Sequence, residues 1–422
     1  MRKCRIGVLG TGRGKAMMRF CANTDTAELV AVCDNQLSGI EQVKALFGAE
    51  GIAFYSSFED FLQHDMDVVM LANYANEHAP FAIRAMEAGK AVVSEVVPVQ
   101  TMAEAVALIE CIERTGQKYC FAENYCFLAA PYEMKKRFDA GQLGAFEYGE
   151  GEYMHNCESI WPKIAHGDPQ HWRNIMSAFF YCTHSVGPLL HISGQRPKRV
   201  SGFEMPFNER MGRMGAKAGG GAMEVVTLES GALIKSLHGV GCSRSSTWFS
   251  VYGSEGRMES AREDAQQNGI NRIYVNCGED LEEPAQNYIP APAMKIPETF
   301  PGGPDFTDPH NAVDDYVCLS NVVRYVMGDE AAEVIDVYEA LDMWMCGFFG
   351  HLSCLDGGAP KEIPDLKDPA VRETFRNDRR CTDPKAAGEQ LLPSCFAGTP
   401  VIPEGVYEAQ RQAWEAYQRD NC

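Results

Sequence analysis

Residues 4–14 read CRIGVLGTGRG, and this stretch decides the fold. An apolar run of strand type passes directly into a glycine-rich turn, and a helical pattern follows from Arg13 to Asn23. Such a turn lets backbone amides face a pyrophosphate at the start of a helix. We therefore expect a dinucleotide to bind at Gly10, Thr11, Gly12, Arg13 and Gly14. A plain tight turn would use the same glycines, and Lys15 stands where the third glycine of the usual pattern falls.

An acid ends the second strand-like run, ELVAVCD, which places Asp34 about 20 residues after the glycines. A carboxylate at that point accepts hydrogen bonds from ribose hydroxyls and repels a 2′-phosphate, so the sequence favours NAD over NADP. Two alternatives stay open. Asp34 can instead be a helix N-cap or turn residue, and Arg13 beside the adenosine ribose would tolerate the extra phosphate.

Strand-like and helix-like segments alternate up to about residue 125. The strand-like segments include DVVMLAN, AVVSE and KYCFAEN, and the helix-like ones are 78–88 and 102–115. Repeated units of this kind predict an α/β fold with a parallel, doubly wound sheet, whose ligands bind beyond the carboxyl ends of the strands. The second half contains runs such as EVVTLESGALIKSLHGV, where strand-like segments and glycine-containing turns are typical of a meandering sheet.

The composition is that of a globular protein with a large core. The chain has 422 residues, of which 45% are hydrophobic, and a formal net charge of −20. Because this charge repels phosphate backbones and anionic lipids, we expect small-molecule ligands and neither nucleic-acid nor membrane partners. The 16 cysteines are scattered without Cys/His clusters, which indicates reduced thiols and no metal site. With no signal-peptide pattern at the N-terminus, these features favour a cytoplasmic protein.

Five motifs together resemble one family: GTGRG, VCD, LANYANEHAP, EAGKAVVSE and HWR. They are similar to those of the Gfo/Idh/MocA oxidoreductases. The resemblance implies an N-terminal Rossmann domain that binds NAD and a C-terminal α/β domain with a large, mostly antiparallel open sheet. The expected boundaries are 1–125 for the NAD-binding domain, 126–366 for a substrate-binding and oligomerisation domain, and 367–422 for a tail packed on the second domain. The resemblance also implies a homodimer or homotetramer.

Matching positions extend the expected cofactor site. The resemblance places Glu95 beside the nicotinamide ribose, Asn124 at the end of a later strand, and Asn73, Asn76 and His78 in a loop beneath the cofactor. In ordinary dehydrogenases of this family a lysine follows the glutamate and an aspartate stands four residues before a histidine. Here Val96 replaces the lysine and Phe180 replaces the aspartate, whereas His184 matches the histidine.

The pattern YCTHSVGP at 181–188 is similar to that of an offshoot of the family, the NAD-dependent glycosidases represented by α-N-acetylgalactosaminidases, which likewise lack the lysine. This resemblance implies transient oxidation at C3 of a sugar, removal of the C2 proton, elimination, water addition and re-reduction. We expect Tyr181 to act as the base for C2 and His184 to polarise or deprotonate the C3 hydroxyl, with the two roles exchangeable. Both side chains would also suit a packed core.

Further residues are candidates for substrate binding. His171, Trp172 and Arg173 combine an aromatic surface with hydrogen-bond donors, and Tyr153 is a further pocket candidate. A structural pair between Arg173 and a carboxylate, with a buried indole, is the alternative. Three functions therefore stay open: a redox-neutral NAD-dependent glycosidase, a plain NAD-dependent sugar or polyol dehydrogenase, and a nucleotide-binding protein without catalysis. Val96 and Phe180 count against the second, and Tyr181 and His184 count against the third.

Overall fold

A computed structural model describes residues 2–262, 272–277, 289–290 and 313–421. Its strands are β1 Cys4–Leu9, β2 Ala27–Cys33, β3 Ala53–Tyr55, β4 Val68–Leu71, β5 Ala91–Ser94, β6 Tyr119–Phe121, β7 Phe146–Asn156, β8 Pro197–Glu204, β9 Ala222–Leu228, β10 Leu233–Gly239, β11 Gly241–Gly253, β12 Gly256–Ser260, β13 Arg272–Cys277, β14 Ile289–Pro290 and β15 Lys361–Glu362. Its helices are α1 Gly14–Ala22, α2 Leu37–Phe47, α3 Phe58–Leu62, α4 His78–Glu87, α5 Met102–Thr115, α6 Ala129–Asp139, α7 Trp161–Ala165, α8 Trp172–Ile175, α9 Thr183–Ser193, α10 Glu209–Met214, α11 Val313–Val326, α12 Val337–Leu355, α13 Pro369–Phe375, α14 Pro384–Ala387 and α15 Glu404–Asn421.

The first sheet has six strands in the order β3-β2-β1-β4-β5-β6, and all its pairs are parallel. Strands β4 and β5 are buried throughout, as expected for a parallel sheet whose two faces are both covered by helices. The order reverses at β1, so the turn after Leu9 lies at the switch point where such sheets bind ligands. The predicted doubly wound sheet is confirmed.

The second sheet has nine strands among the described residues, in the order β14-β13-β12-β11-β7-β10-β9-β8-β15. The pair β7 and β10 is parallel, and the other pairs are antiparallel. The central strand β7 runs beneath α9, where an added Cβ on Gly151 would lie 1.9 Å from the Ser185 carbonyl oxygen. Glycine at 151 therefore lets the helix backbone approach the sheet. The predicted large, mostly antiparallel sheet is confirmed.

The chain divides into two compact units. The first comprises Met1–Ala129, Pro292–Leu341 and Leu366–Arg376, and the second comprises Ala130–Ala291, Asp342–Asp365 and Asn377–Cys422. Helix α11 thus belongs with the N-terminal sheet, where Tyr316 packs edge-on against Phe20 with ring centroids 5.5 Å apart. The boundaries expected from the sequence placed α11 in the second domain. They assumed that each domain is one continuous stretch, whereas the first unit consists of three separate segments of the chain.

Candidate active site

The turn after β1 has the backbone geometry that a dinucleotide site requires. Gly10 has φ 97°, and an added Cβ would lie 2.5 Å from the carbonyl oxygen of Ala72, so only glycine fits against the end of β4. At Gly12 an added Cβ would meet nothing within 4 Å, so this side of the turn is open. Close approach of a pyrophosphate to the backbone needs that opening.

The structure explains why lysine is accepted at position 15. An added Cβ on Gly14 would lie 2.8 Å from Cγ1 of Val8, so Gly14 is the residue that permits close packing of α1 on β1. In the usual pattern the third glycine, which would fall at position 15, has this role. In this chain Gly14, one residue earlier, has it instead. The Lys15 side chain points to the surface, where its Nζ donates to Oε1 of Gln42 over 2.8 Å.

Asp34 follows β2 and is hydrogen-bonded to the turn. Its Oδ2 accepts from the Thr11 amide over 2.7 Å and from the Thr11 hydroxyl over 2.6 Å. Its Oδ1 accepts from the Gln36 amide over 2.8 Å, which makes an Asx turn. Asp34 is therefore a turn residue, as the alternative interpretation of the sequence proposed, and this role does not use all of its acceptor positions. The carboxylate is only half-buried, and its remaining lone pairs suit ribose hydroxyls.

Arg13 is held by two buried carboxylates. Its Nε donates to Oε1 of Glu95 over 2.6 Å, and its two Nη atoms donate to Asp315 of α11 over 2.9 and 2.6 Å. Burial raises the pKa of the Asp315 carboxyl, and the Arg13 guanidinium opposes that rise. Because the guanidinium is paired with these two acids, the alternative in which it accommodates a 2′-phosphate loses its support.

The loops after β4 and β5 are joined through His78. Its Nδ1 lies 2.7 Å from the Val97 carbonyl oxygen and its Nε2 lies 3.3 Å from that of Asn73. Burial lowers the pKa of this imidazole, so the ring is neutral and its single N–H donates to one of these two carbonyl oxygens, the shorter contact being the one to Val97. Asn76 lies in the 3-10 turn between these loops, and Asn124 begins the 3-10 helix Asn124–Phe127 after β6. These four expected cofactor residues therefore lie in segments that follow the carboxyl ends of strands β4 and β6: Asn73, Asn76, His78 and Asn124.

Val96 occupies the position at which ordinary dehydrogenases of the family have a lysine, and its side chain cannot accept or donate a proton. The side chain is buried, and its backbone amide donates to Oε2 of Glu95 over 3.2 Å. Glu95 accepts from Arg13 with its other oxygen. The carboxylate is therefore used to fix the turn and its own loop.

In the second unit, Tyr181 and His184 lie side by side although they do not share a helix. Tyr181 is in a turn before α9, and His184 is the second residue of that helix. Their ring centroids are 5.5 Å apart. The turn at Phe180–Cys182, and not a shared helix, brings the two rings together. Both side chains are at most 9% exposed.

Arg173 contacts Tyr181 directly. Its Nη2 donates to the phenolic oxygen of Tyr181 over 2.8 Å, and its guanidinium carbon lies 4.4 Å from the ring centroid of Trp172. The Trp172 indole stacks on the Tyr181 ring with centroids 6.1 Å apart. The partner of Arg173 is thus a phenol instead of the carboxylate of the alternative interpretation, whereas the buried indole of that interpretation is present.

His171 and Tyr153 complete this group. His171 caps α8, where its Nδ1 accepts from the Arg173 amide over 3.3 Å, and burial, with Arg173 adding to it, lowers the pKa of the imidazole to about 3. Tyr153 of β7 packs edge-on against His184 with centroids 4.7 Å apart. We call these six residues the aromatic cluster: Tyr153, His171, Trp172, Arg173, Tyr181 and His184.

One residue that sequence reasoning missed takes part in these arrangements. Asp315 anchors Arg13 from a segment that carries no recognised motif. His155 lies two residues after Tyr153 on the same face of β7, and its Nδ1 is 3.1 Å from the Tyr153 hydroxyl. His155 was a weaker pocket candidate from the sequence, and it lies beside Tyr153 because residues two apart on a strand share a face.

Within the part of the chain that the structure describes, no three His, Cys, Asp or Glu side chains are grouped so as to hold a metal ion. The described helices include none with the length and apolar character needed to cross a bilayer.

Comparison with known proteins agrees with this geometry. Residues 4–123 match the family model described as "Oxidoreductase family, NAD-binding Rossmann fold". A relative named "Glycosyl hydrolase family 109 protein 1" from Bacteroides fragilis is 30% identical over 197 residues, which is 44% of this chain and 42% of that protein's length. A protein of the same name from Bacteroides thetaiotaomicron is 24% identical over 409 residues, covering 86% of this chain and 84% of the relative.

Solved structures support the fold. The WlbA dehydrogenase from Bordetella pertussis, determined with NADH and UDP-GlcNAcA, has a TM-score of 0.67 at 20% identity and covers 86% of this chain and 98% of its own. An oxidoreductase domain protein from Kribbella flavida has a TM-score of 0.69 at 19% identity, covering 86% and 100%. The match to the family model, with the open glycine turn and the acid after β2, identifies residues 4–123 as an NAD-binding Rossmann domain of the Gfo/Idh/MocA oxidoreductase family.

Proposed function

We propose that this protein is an NAD-dependent glycosidase whose overall reaction is redox neutral. The observation that carries the proposal is the hydrogen bond from Arg173 to the Tyr181 hydroxyl, 2.8 Å long, in a chain that has Val96 at the usual lysine position. A guanidinium that donates to a phenolic oxygen stabilises negative charge there, and a proton-accepting tyrosine carries that charge. The relatives named as glycosyl hydrolases support the same conclusion.

The bound NAD would supply one capability, which is to take a hydride from C3 of the sugar and later return it to the same carbon. The residues that would hold the cofactor are in the first unit: the turn Gly10–Gly14, Asp34, Asn73, Asn76, His78, Glu95 and Asn124. Their open turn and half-buried carboxylate fit a dinucleotide with a free ribose 2′-hydroxyl.

We assign the proton transfers to the aromatic cluster. His184 accepts the proton of the C3 hydroxyl as that carbon loses its hydride and becomes a ketone. The ketone makes the neighbouring C2 hydrogen acidic, and Tyr181 removes it as a proton. The electron pair left at C2 forms a double bond to C1 and expels the leaving group from C1. Water then adds to C1 and gives up a proton to the expelled leaving group, and Tyr181 returns a proton to C2. Return of the hydride to C3, together with the proton held by His184, converts the ketone to the hydroxyl.

Substrate binding falls to the same cluster. Arg173 and the indole of Trp172 present donors beside an aromatic surface, which suits the hydroxyls and the apolar face of a pyranose. Within the described residues, the buried Nε1 of Trp172 makes no hydrogen bond. An unpaired buried donor is costly, so a polar ligand that accepts from it would gain affinity.

The competing function is a plain NAD-dependent sugar or polyol dehydrogenase, for which His184 alone would serve as the base. Incubating the purified protein with a panel of chromogenic glycosides, and separately with free sugars plus NAD, distinguishes the two. Our proposal predicts release of the chromophore without net reduction of NAD. Stoichiometric reduction of NAD by a free sugar, with every glycoside left intact, would instead identify a dehydrogenase.

Cofactor preference tests the role of Asp34. We expect the protein to bind NAD more tightly than NADP, and Asp34→Ala to shrink this preference about tenfold, because the variant loses both the ribose acceptor and the charge that repels a 2′-phosphate. Calorimetric titration with each cofactor measures the ratio. Gln36→Ala, which keeps the backbone amide of the Asx turn, is the control. Tighter binding of NADP by the unaltered protein would refute the assignment.

A further inference from the structure

The C-terminal helix α15 packs on the segment that leads into the aromatic cluster. Its Trp414 lies against His166 with ring centroids 4.5 Å apart, and Arg411 donates to the Gly167 carbonyl oxygen over 2.9 Å. Tyr407 donates to the Gly215 carbonyl oxygen over 3.0 Å, which ties the helix to a second loop of the same unit.

The backbone at the contact has an uncommon conformation. His166 has φ 54°, and it is the non-glycine residue with positive φ in the described part of the chain. Gly167 follows with φ 66°, and an added Cβ there would lie 2.5 Å from both the Tyr407 carbonyl oxygen and the Arg411 amide nitrogen. His166 is the C-cap of α7, where a left-handed residue commonly ends a helix, so the direction in which the chain leaves α7 is set at the contact with Trp414. Helix α15 is the structure in contact at this point.

A series of ring contacts connects this helix to the cluster. From Trp414 the contacts pass through His166 to His171, with centroids 6.1 Å apart, and His171 stacks on Trp172 at 5.9 Å. Trp172 in turn stacks on Tyr181. Each ring therefore limits the orientations of the next, from the tail of the chain to the base of the proposed reaction.

We propose that α15 positions the aromatic cluster through Trp414, and that Trp414 is a positioning residue for the hydrogen bond between Arg173 and Tyr181. This inference rests on the proposed function for its catalytic consequence. By packing on His166, Trp414 holds the turn at 166–167, and the turn fixes where α8 begins. Because Arg173 is the second residue of α8, the start of that helix decides whether its guanidinium reaches the Tyr181 hydroxyl. The tail expected to pack on the second domain thus also shapes the site.

The test combines a local measurement with kinetics. We compare Trp414→Ala with Trp414→Phe, which keeps a ring, and with Phe396→Ala, which removes an exposed ring from the same C-terminal segment. Hydrogen–deuterium exchange of peptides covering 166–174 reports the positioning directly. Trp414→Ala should speed that exchange and lower kcat/KM for glycoside cleavage about tenfold, with the affinity for NAD and the pH profile of cleavage unchanged. Trp414→Phe should restore both quantities.

The two readouts separate the inference from the proposed function. If the unaltered protein cleaves no glycoside, the proposed function fails, while the exchange measurement still tests the positioning. If Trp414→Ala does not fold at the assay temperature, Trp414→Leu keeps an apolar side chain on α15 and replaces it. Exchange at 166–174 that matches the unaltered protein, or that rises no more than in Phe396→Ala, would overturn the proposal.

Discussion

Tyr181→Phe should slow glycoside cleavage by about 100-fold or more, because it removes the hydroxyl that we assign as the C2 base while keeping the ring and its stacking. The variant should lose hydrogen exchange at C2 of the substrate in parallel with cleavage. Binding of NAD should stay the same, because the cofactor residues belong to the first unit and Tyr181 belongs to the second. Steady-state kinetics on a chromogenic glycoside and calorimetry with NAD measure these quantities.

Tyr252→Phe is the matched control. It deletes one tyrosine hydroxyl from the same unit at a side chain that is 37% exposed and donates nothing to the aromatic cluster. It should leave cleavage within about twofold of the unaltered protein. Full activity of Tyr181→Phe would eliminate Tyr181 as the base. Loss of cleavage with C2 exchange preserved would move its role to a later step of the reaction.

Glu224→Gln should stabilise the protein at alkaline pH. Glu224 of β9 and His238 of β10 are both fully buried, and Nε2 of His238 lies 4.0 Å from Oε1 of Glu224. Neither carboxyl oxygen has a hydrogen-bond partner among the described residues. Burial raises the pKa of Glu224 from 4.5 to about 8 and lowers that of His238 from 6.5 to about 3. Both groups are therefore neutral in the folded protein at neutral pH.

The direction in which stability changes with pH follows from how many protons the folded and unfolded states bind. The folded carboxyl keeps its proton to about pH 8, whereas the unfolded one releases it near pH 4.5, so the contribution to stability is complete below pH 4.5 and is lost as pH rises toward 8. Each pH unit of difference is worth up to about 1.4 kcal/mol. We expect Glu224→Gln to gain up to about 3.5 kcal/mol of unfolding free energy over the unaltered protein between pH 5 and pH 8.

Denaturant unfolding at the two pH values measures this gain. Glu147→Gln, which removes a carboxyl at an exposed position on β7, is the matched control and should show no gain. The loss of stability below pH 6.5 that arises from His238 should persist in both variants, because neither changes the imidazole. A variant Glu224→Gln that is less stable at pH 8 would indicate a buried ion pair with protonated His238 instead of two neutral groups.

The N-terminal fold was predictable because its signals are local. The strand β1, the turn after it and helix α1 are contiguous, and the buried runs of β4 and β5 identify themselves by composition. Strand β3 has three residues and helix α3 has five, so neither is long enough to show a period. The segment from β3 to the end of α3 therefore carried no clear pattern.

Contacts over long sequence separations were not predictable. Arg13 and Asp315 are 302 positions apart, and no motif marks the second of them. The sequence accordingly suggested a role for Arg13 at the ribose, whereas the fold turns its guanidinium to two acids. The close packing of α1 on β1 at Gly14 was also not predictable, because it depends on where the fold places the Val8 side chain.

The candidate catalytic residues came from the resemblance, and the fold supplied their arrangement. Tyr181 and His184 matched a motif, and the structure places Tyr181 in the turn that precedes α9 and His184 within that helix. The bond between Arg173 and Tyr181 depends on where α8 begins, which His171 sets by capping it. The spacing of residues in the sequence could therefore not predict the hydrogen bond between Arg173 and Tyr181.

The central claim is that the hydride returns to the sugar from which it came after the C2 proton has been removed. The most direct measurement is cleavage of a chromogenic glycoside in heavy water with NAD at catalytic concentration, followed by analysis of the product for deuterium at C2. Our account predicts many turnovers per NAD, no steady accumulation of NADH, and deuterium at C2. If the proton is held on Tyr181 and returned unmixed, C2-deuterated substrate must still show an isotope effect. Cleavage with neither C2 deuterium nor an isotope effect, or net reduction of NAD in step with product, would contradict it.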